Sequence, residues 1–361
     1  MRTIDFKFRV LRGDAVYGFL QAPAGGQKIR MQDNAEIKTS LSGNFAPAVT
    51  DADGNPIEPN WLADEIQPIM VIDGVEHSLG VYAPSTVIPS ESNGVASLRI
   101  EAFDRCWRVK DNYTQDLLHI PAGENYVTRI QSMLVFCGIP VILATPTTET
   151  FKEDREDWDI GTSYLAIINE LLGEINYNPL WFTPNGEAVL EPASVPLAEN
   201  IEHTFSDLPD DVSAGATEII RMLPSISRET DIYKAPNVFT CVCSNPDKSG
   251  PMISTAENTN PQSPLSIPRR GRRIVKVVQI NNIASQDELD RYAERLCNES
   301  MVSGEKIQVS TALQPGFGVA DVVALKFGEI SSLCIERSYT MELAVGGTMQ
   351  HTLERVVYNF E

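Results

Sequence analysis

The stretch Ile69-Met70-Val71-Ile72-Asp73-Gly74-Val75-Glu76-His77-Ser78-Leu79-Gly80-Val81-Tyr82 decides the fold class. Two strand-forming runs flank Asp73-Gly74, a pair suited to a turn that needs positive φ at both central residues. A β-hairpin is therefore expected here. Working outward, Ile4, Phe6, Phe8 and Val10 alternate with Asp5, Lys7 and Arg9, as a half-buried strand requires. Glu36 to Leu41 repeats the alternation after Gly25-Gly26, and Val95 to Asp104 places Ala96, Leu98, Ile100 and Ala102 on one face. Residues 1–105 thus predict a small antiparallel β-barrel or sandwich.

Helical spacing interrupts this pattern in residues 106–205, an expected α/β insert. Tyr126, Ile130, Met133, Leu134 and Cys137 form one stripe, ended by Gly138 and Pro140. Leu165, Ile168, Leu172 and Ile175 form a second, with Thr162 as the expected N-cap. Leu180 to Leu190 predicts a hairpin around Asn185-Gly186.

Residues 206–361 return to β-structure, with strands expected at 306–312, 319–327, 333–343 and 348–358. They also hold the strongest helix-start signal, Ser285 to Glu288, a capping box ahead of Leu289, Tyr292, Ala293 and Leu296. The helix is expected over 285–303, packed on the second β module. Asn, Thr, Pro and Ser dominate Ala256 to Ser266, which predicts a long surface loop. The fold class is therefore α+β, mainly β: two antiparallel β modules, an α/β insert and one long capped helix.

At 361 residues the chain is longer than one core usually supports. Its first seven residues alternate charge with bulk and form no signal-peptide core, and no apolar run is long enough to span a membrane. Folding in the cytoplasm without membrane insertion is expected. A net charge of −20 argues against a general nucleic-acid binder, whose affinity comes mostly from neutralising phosphates, and fits either a surface that repels DNA or one that only aids solubility.

Metal and catalytic signatures are missing from the sequence. The six cysteines have no C-x-x-C spacing, and the four histidines are scattered. Cys241 and Cys243 share one strand face, which supplies at most half a zinc site. Asp51 to Asn55 resembles a calcium loop, but Pro56 and Leu62 stand where a Gly and a bidentate Glu are needed. No catalytic, cofactor-binding or metal residues are assigned, and no cofactor is expected.

Two charge runs stand out. Glu153-Asp154-Arg155-Glu156-Asp157-Trp158-Asp159 is expected to be a solvated acidic loop. Arg269, Arg270, Arg272 and Arg273 are the sharper anomaly in so acidic a chain, and they form the candidate interface. Because they adjoin a polar loop, they are expected to be dispensable for folding.

Several stretches in order resemble the central baseplate or tail hub of phage-type tails: contractile phages, defective prophages and R-type bacteriocins. They include Asp64 to Gly74 with Leu79-Gly80-Val81-Tyr82, Ile100 to Asp104, and Ser163-Tyr164-Leu165 leading into Tyr177 to Phe182. Further on come Glu257-Asn258, Ser263-Pro264, the Ser285 to Glu294 helix, Ala320 to Val323 and Met349 to Val356. The resemblance implies two tail-tube-like barrels per chain and a homotrimer whose six barrels seat on a hexameric tail tube. Its partners would be the tail tube protein, a trimeric central spike, other baseplate proteins and the tape-measure protein. DNA would only pass through the channel, whose inner wall is expected to be acidic. The location implied is the virion tail baseplate or tail tip, assembled in the bacterial host cytoplasm. Hubs with a fused lysozyme or peptidase continue beyond the second module, so no fused enzyme is expected. Two other classes compete: a tail-associated cell-wall hydrolase, and a carbohydrate- or receptor-binding module. The latter favours clustered aromatics, whereas Trp61, Trp107, Trp158 and Trp181 are spread along the sequence.

Overall fold

The computed structural model describes residues 3–356 apart from 24, 93, 195, 209–218, 231–234, 244–250, 281, 282, 284 and 302–304. The hairpin turn forms as its residues demand. Asp73 and Gly74 have φ of 48° and 88°, and strands Glu65–Ile72 and Val75–Ser78 pair antiparallel across it. Ile4–Arg12 pairs on the other edge of Glu65–Ile72, in a register that puts Phe6 opposite Met70 and Val10 opposite Ile66.

Both β modules belong to one 16-stranded sheet. The junction is the antiparallel pairing of Lys28–Gln32 with Ile330–Glu342, where Ile29 lies opposite Met341 and Met31 opposite Tyr339. From there the first module continues through Thr39–Phe45, Val95–Asp104, Tyr82–Ser92, Glu65–Ile72, Ile4–Arg12 and Ala15–Leu20. On the other side the sheet runs through Thr348–Val356, Glu305–Ala312, Ile219–Thr230, His203–Ser206 and Val322–Phe327. Val322–Phe327 pairs back onto Ile330–Glu342, which closes the second module into a barrel. Such closure removes the exposed strand edges that invite aggregation. The strand His203–Ser206, which straddles the expected boundary at 205, pairs parallel with both its neighbours. An otherwise antiparallel barrel therefore admits one parallel strand.

One hydrophobic core serves both modules, from Phe8, Ile29, Leu41 and Ile100 to Phe205, Ile307, Val323 and Leu353. The insert has its own core, in which Leu165, Ile168 and Leu172 meet Ile130 and Leu134. Its helices are Tyr126–Phe136, capped by Asn125, and Tyr164–Glu174. The second starts after Ser163 rather than Thr162, because the Thr162 hydroxyl is turned to Asp159 O at 2.7 Å.

Helix Gln286–Met301 packs differently from the expectation. It lies on a separate three-stranded sheet of Met252–Glu257, Val238–Cys243 and Val275–Ile280, not on the barrel wall. Leu289 and Ala293 meet Cys241 and Cys243 there, so both thiols are ordinary core groups under the helix. Ser285 Oγ accepts from Glu288 N at 3.1 Å, the first half of the capping box. The Glu288 carboxylate pairs instead with Arg291, and its Oε2 is buried without a partner.

Arg105 clamps the first module to the insert. Its guanidinium is buried and reaches Glu65 at 2.9 Å, Asp14 at 2.8 Å and the carbonyl of Gly186 at 3.0 Å. Glu65 is also buried, so the carboxylate depends for its solvation on this fork and on Arg108 Nε at 3.2 Å.

Candidate functional site

The four arginines are divided by the fold. Ile267–Arg270 is one helical turn, whose cap Ser266 accepts from Arg269 N and whose end, Gly271, takes a left-handed φ of 64°. Arg269 Nε donates to Pro261 O at 2.8 Å, and Arg270 donates to the carbonyl of Ala235. Arg273 pairs with Glu257. Arg272 is exposed, and its side chain makes no hydrogen bond or ion pair among the described residues. Arg269 therefore braces the loop that precedes it, and Arg270 ties the turn to the segment ahead of strand Val238–Cys243.

That loop is only partly solvated. Asn258, Ser263, Leu265 and Ser266 are buried. Asn237, also buried, donates to Leu265 O at 3.2 Å and Arg272 O at 3.0 Å, and accepts from Ile274 N at 2.7 Å. The polar composition that suggested a surface loop is used to satisfy buried backbone groups. The expectation that all four arginines are dispensable for folding is therefore dropped.

The acidic run also departs from its reading. Strand Arg155–Trp158 pairs with Leu118–Ile120, and Arg155 is buried between Glu174 and Glu170. Its guanidinium lies 4.5 Å from the Trp158 ring centroid, and Tyr126 donates to Glu174 at 2.8 Å. Burial raises the Glu174 carboxyl above its usual range, and Arg155 opposes this. The single cation in the run is its structural centre.

Inside the second barrel, His351 Nδ1 meets Glu336, and its Nε2 lies 2.8 Å from the Thr311 hydroxyl. A second pair, His203 and Asp321 at 3.0 Å, stands beyond Phe317, whose ring packs against both imidazoles. Burial drives the Glu336 carboxyl well up and the His351 imidazole down to about 3, so both are held neutral. No group of three or more metal-ligating side chains is assembled among the described residues.

The outer face of the continuous sheet is a surface the two modules share. Register rows run from Ser310, Gln350 and Thr340 to Arg30 and Ser40, and from Gln308, Thr352 and Ser338 to Gln32. The side chains are mostly hydroxyls and amides. Two ion pairs lie on this face, Lys28 with Glu342 at 3.1 Å and Arg99 with Glu101 at 2.7 Å, and the cations Arg30 and Lys306 are exposed on it.

Trp61 and Trp107, distant in sequence, line one groove of about 190 Å³ with Asp64, Arg108, Asp111 and Asn112. Phe103 stacks on Trp107 at 5.5 Å. Trp158 is buried and Trp181 is bonded to Glu191 at 3.1 Å, so only two of the four tryptophans share this surface.

No family model matches the sequence, and no curated protein matches it. Solved structures do. The tail protein from Neisseria meningitidis MC58 superposes with a TM-score of 0.64 at 11% identity, over 97% of this chain and 96% of that one. The prophage MuSo2 43 kDa tail protein from Shewanella oneidensis gives 0.63 at 10% identity, over 97% and 98%. Prophage tail protein gp18 from Listeria monocytogenes gives 0.56 at 12% identity, over 96% and 94%. Over nearly its whole length, this chain has the fold of phage-type tail proteins.

Proposed function

We propose that the chain is a structural tail hub, a trimeric ring that adapts a hexameric tail tube to a trimeric spike. One observation carries this: both β modules of a single chain are joined edge to edge in one sheet around one core. Two modules fixed side by side are what a threefold ring needs to present six. The partners follow from that role: tail tube protein, central spike, other baseplate proteins and tape-measure protein.

The outer face of the sheet is the channel wall in this reading. Most of it is Ser, Thr and Gln, which offer weak, interchangeable hydrogen bonds, and Arg30 and Lys306 are its few fixed cations. The wall assigned here is close to neutral rather than acidic. DNA would slide along it with little counterion exchange. Native mass spectrometry and light scattering test the ring. A trimer is expected, and a stable dimer or hexamer would sink the adaptor model.

The groove between Trp61 and Trp107 supports a second reading, carbohydrate binding, because stacked sugars favour paired aromatics beside carboxylates and amides. Titration with host-wall polysaccharide, followed by tryptophan fluorescence, tests it. An unchanged spectrum at saturating glycan would dismiss this reading.

A further inference from the structure

We infer that strand Val275–Ile280 is a docking edge that takes an extended acidic segment of a partner protein as an added strand. The inference goes beyond the ring and holds whether or not the ring forms.

The strand is the outer member of the three-stranded sheet, paired in parallel with Val238–Cys243 on one side only among the described residues. Its orientation follows from Ile274. The Ile274 carbonyl accepts from Asn237 N at 2.9 Å and Val238 N at 3.2 Å, and its N–H is bonded to the Asn237 side chain. Ile274 therefore faces the inner strand with both backbone groups. Strand alternation then turns Lys276, Val278 and Ile280 the same way, and leaves the N–H and C=O of Val275, Val277 and Gln279 pointing outward.

This open edge is also apolar. Val275 and Val277 are 55% and 59% exposed, and Ile253 on the far strand is 55% exposed. Proteins usually blunt such edges with proline, bulges, inward charges or a covering element. From Arg272 to Ile280 the chain has no proline and no acidic residue. It has Arg272 and Lys276 instead, besides Arg273, which is paired with Glu257, within a chain of net charge −20.

The charges select the occupant. Two copies of this edge would bring like charges together, which opposes self-pairing. An acidic strand gains from the same charges, with its apolar residues over Val275 and Val277 and its carboxylates near Lys276 and Arg272. Strand addition supplies affinity through main-chain hydrogen bonds and specificity through alternate side chains.

The test uses the full-length protein and a fluorescein-labelled peptide alternating Glu with Val and Thr. A second peptide carries Lys in place of Glu. Saturable binding of the acidic peptide, weakening with salt, is expected, with none of the basic one. Val277→Pro should weaken binding roughly tenfold or more, yet keep the wild-type melting temperature, because the N–H it removes points outward. If that variant melts early, an acidic peptide N-methylated at alternate residues asks the same question of intact protein and should bind at least as poorly. Arg272→Ser should weaken binding and flatten its salt dependence. Several results would overturn the proposal. They are no acidic-peptide binding at about 1 mM, equal binding of the basic or N-methylated peptide, or undiminished binding by a well-folded Val277→Pro. Light scattering on the same samples separates this edge from the ring. A change of oligomeric state in Val277→Pro would assign the edge to a second copy and overturn the acidic-partner proposal.

Discussion

Glu336 and His351 form an acid–imidazole pair with no solvent exposure, closed at its far end by the Thr311 hydroxyl. Thr311 donates onward to the carbonyl of Ala312 at 3.0 Å, so its oxygen is free to accept from His351 Nε2–H. Neutral imidazole with its proton on Nε2 leaves Nδ1 to accept from protonated Glu336. This is the arrangement that burial favours for both groups. A neutral acid also bears its unpaired Oε2 more cheaply than a carboxylate would.

The pair has a defined pH signature. Raising the Glu336 carboxyl above 4.5 gives stability that is complete below that pH and lost as pH rises. Lowering the His351 imidazole from 6.5 to about 3 gives stability that is complete above 6.5 and lost as pH falls toward 3. Above 4.5 the two slopes oppose each other, so stability is greatest between the acid decline set by His351 and the alkaline decline set by Glu336. Each arm has a limiting slope of about 1.4 kcal/mol per pH unit. Glu336→Gln keeps a donor toward Nδ1 but cannot ionise. Denaturant melts of wild type and variant, subtracted, should show the alkaline arm only in wild type. Parallel curves above pH 6.5 would show that Glu336 is ionised in the fold.

Arg105→Ala should cost about 3 kcal/mol, because it leaves the buried Glu65 carboxylate with Arg108 as its one remaining cation. Urea denaturation measures this directly. Combining it with Glu65→Leu should recover much of the loss. If the double variant is no better than the single one, packing rather than charge is what Arg105 supplies.

Replacing Arg269 and Arg270 together by Ser should lower stability by about 1–3 kcal/mol, since both donate to loop carbonyls. Arg272→Ser should leave the melting temperature unchanged. Equal effects from the two variants would contradict the division of the cluster into bracing and exposed residues.

At the start of helix Gln286–Met301, Ser285→Ala should cost about 1 kcal/mol through the lost cap. Glu288→Gln should cost less, because the Glu288 carboxylate is turned to Arg291 and carries an unpaired oxygen. Thermal melts of the two variants rank them. A larger loss from Glu288→Gln would mean that the reciprocal half of the box forms in solution.

Much of the local structure was legible in the residues alone. Asp73-Gly74 specifies a hairpin because only those backbone conformations close it, and Ser285 marks a helix start through its own hydroxyl. The stripe Leu165, Ile168, Leu172 and Ile175 fixes one helix face, and all four are buried. Alternation likewise tells which side of each strand is apolar. It cannot tell which strands meet, because every residue offers the same N–H and C=O to a neighbour. The pairing of Lys28 with Glu342, 314 positions apart, was therefore decided only when one core drew both modules together. The same holds for polar groups. Arg155 in its acidic run and Asn258 and Leu265 in their polar loop look solvated by composition, and become buried because Glu174 and Asn237, from elsewhere in the chain, satisfy them. The arginine cluster was visible as a charge anomaly. Which arginine braces a loop and which faces solvent depends on carbonyls placed by the fold, and only the tertiary structure assigns them.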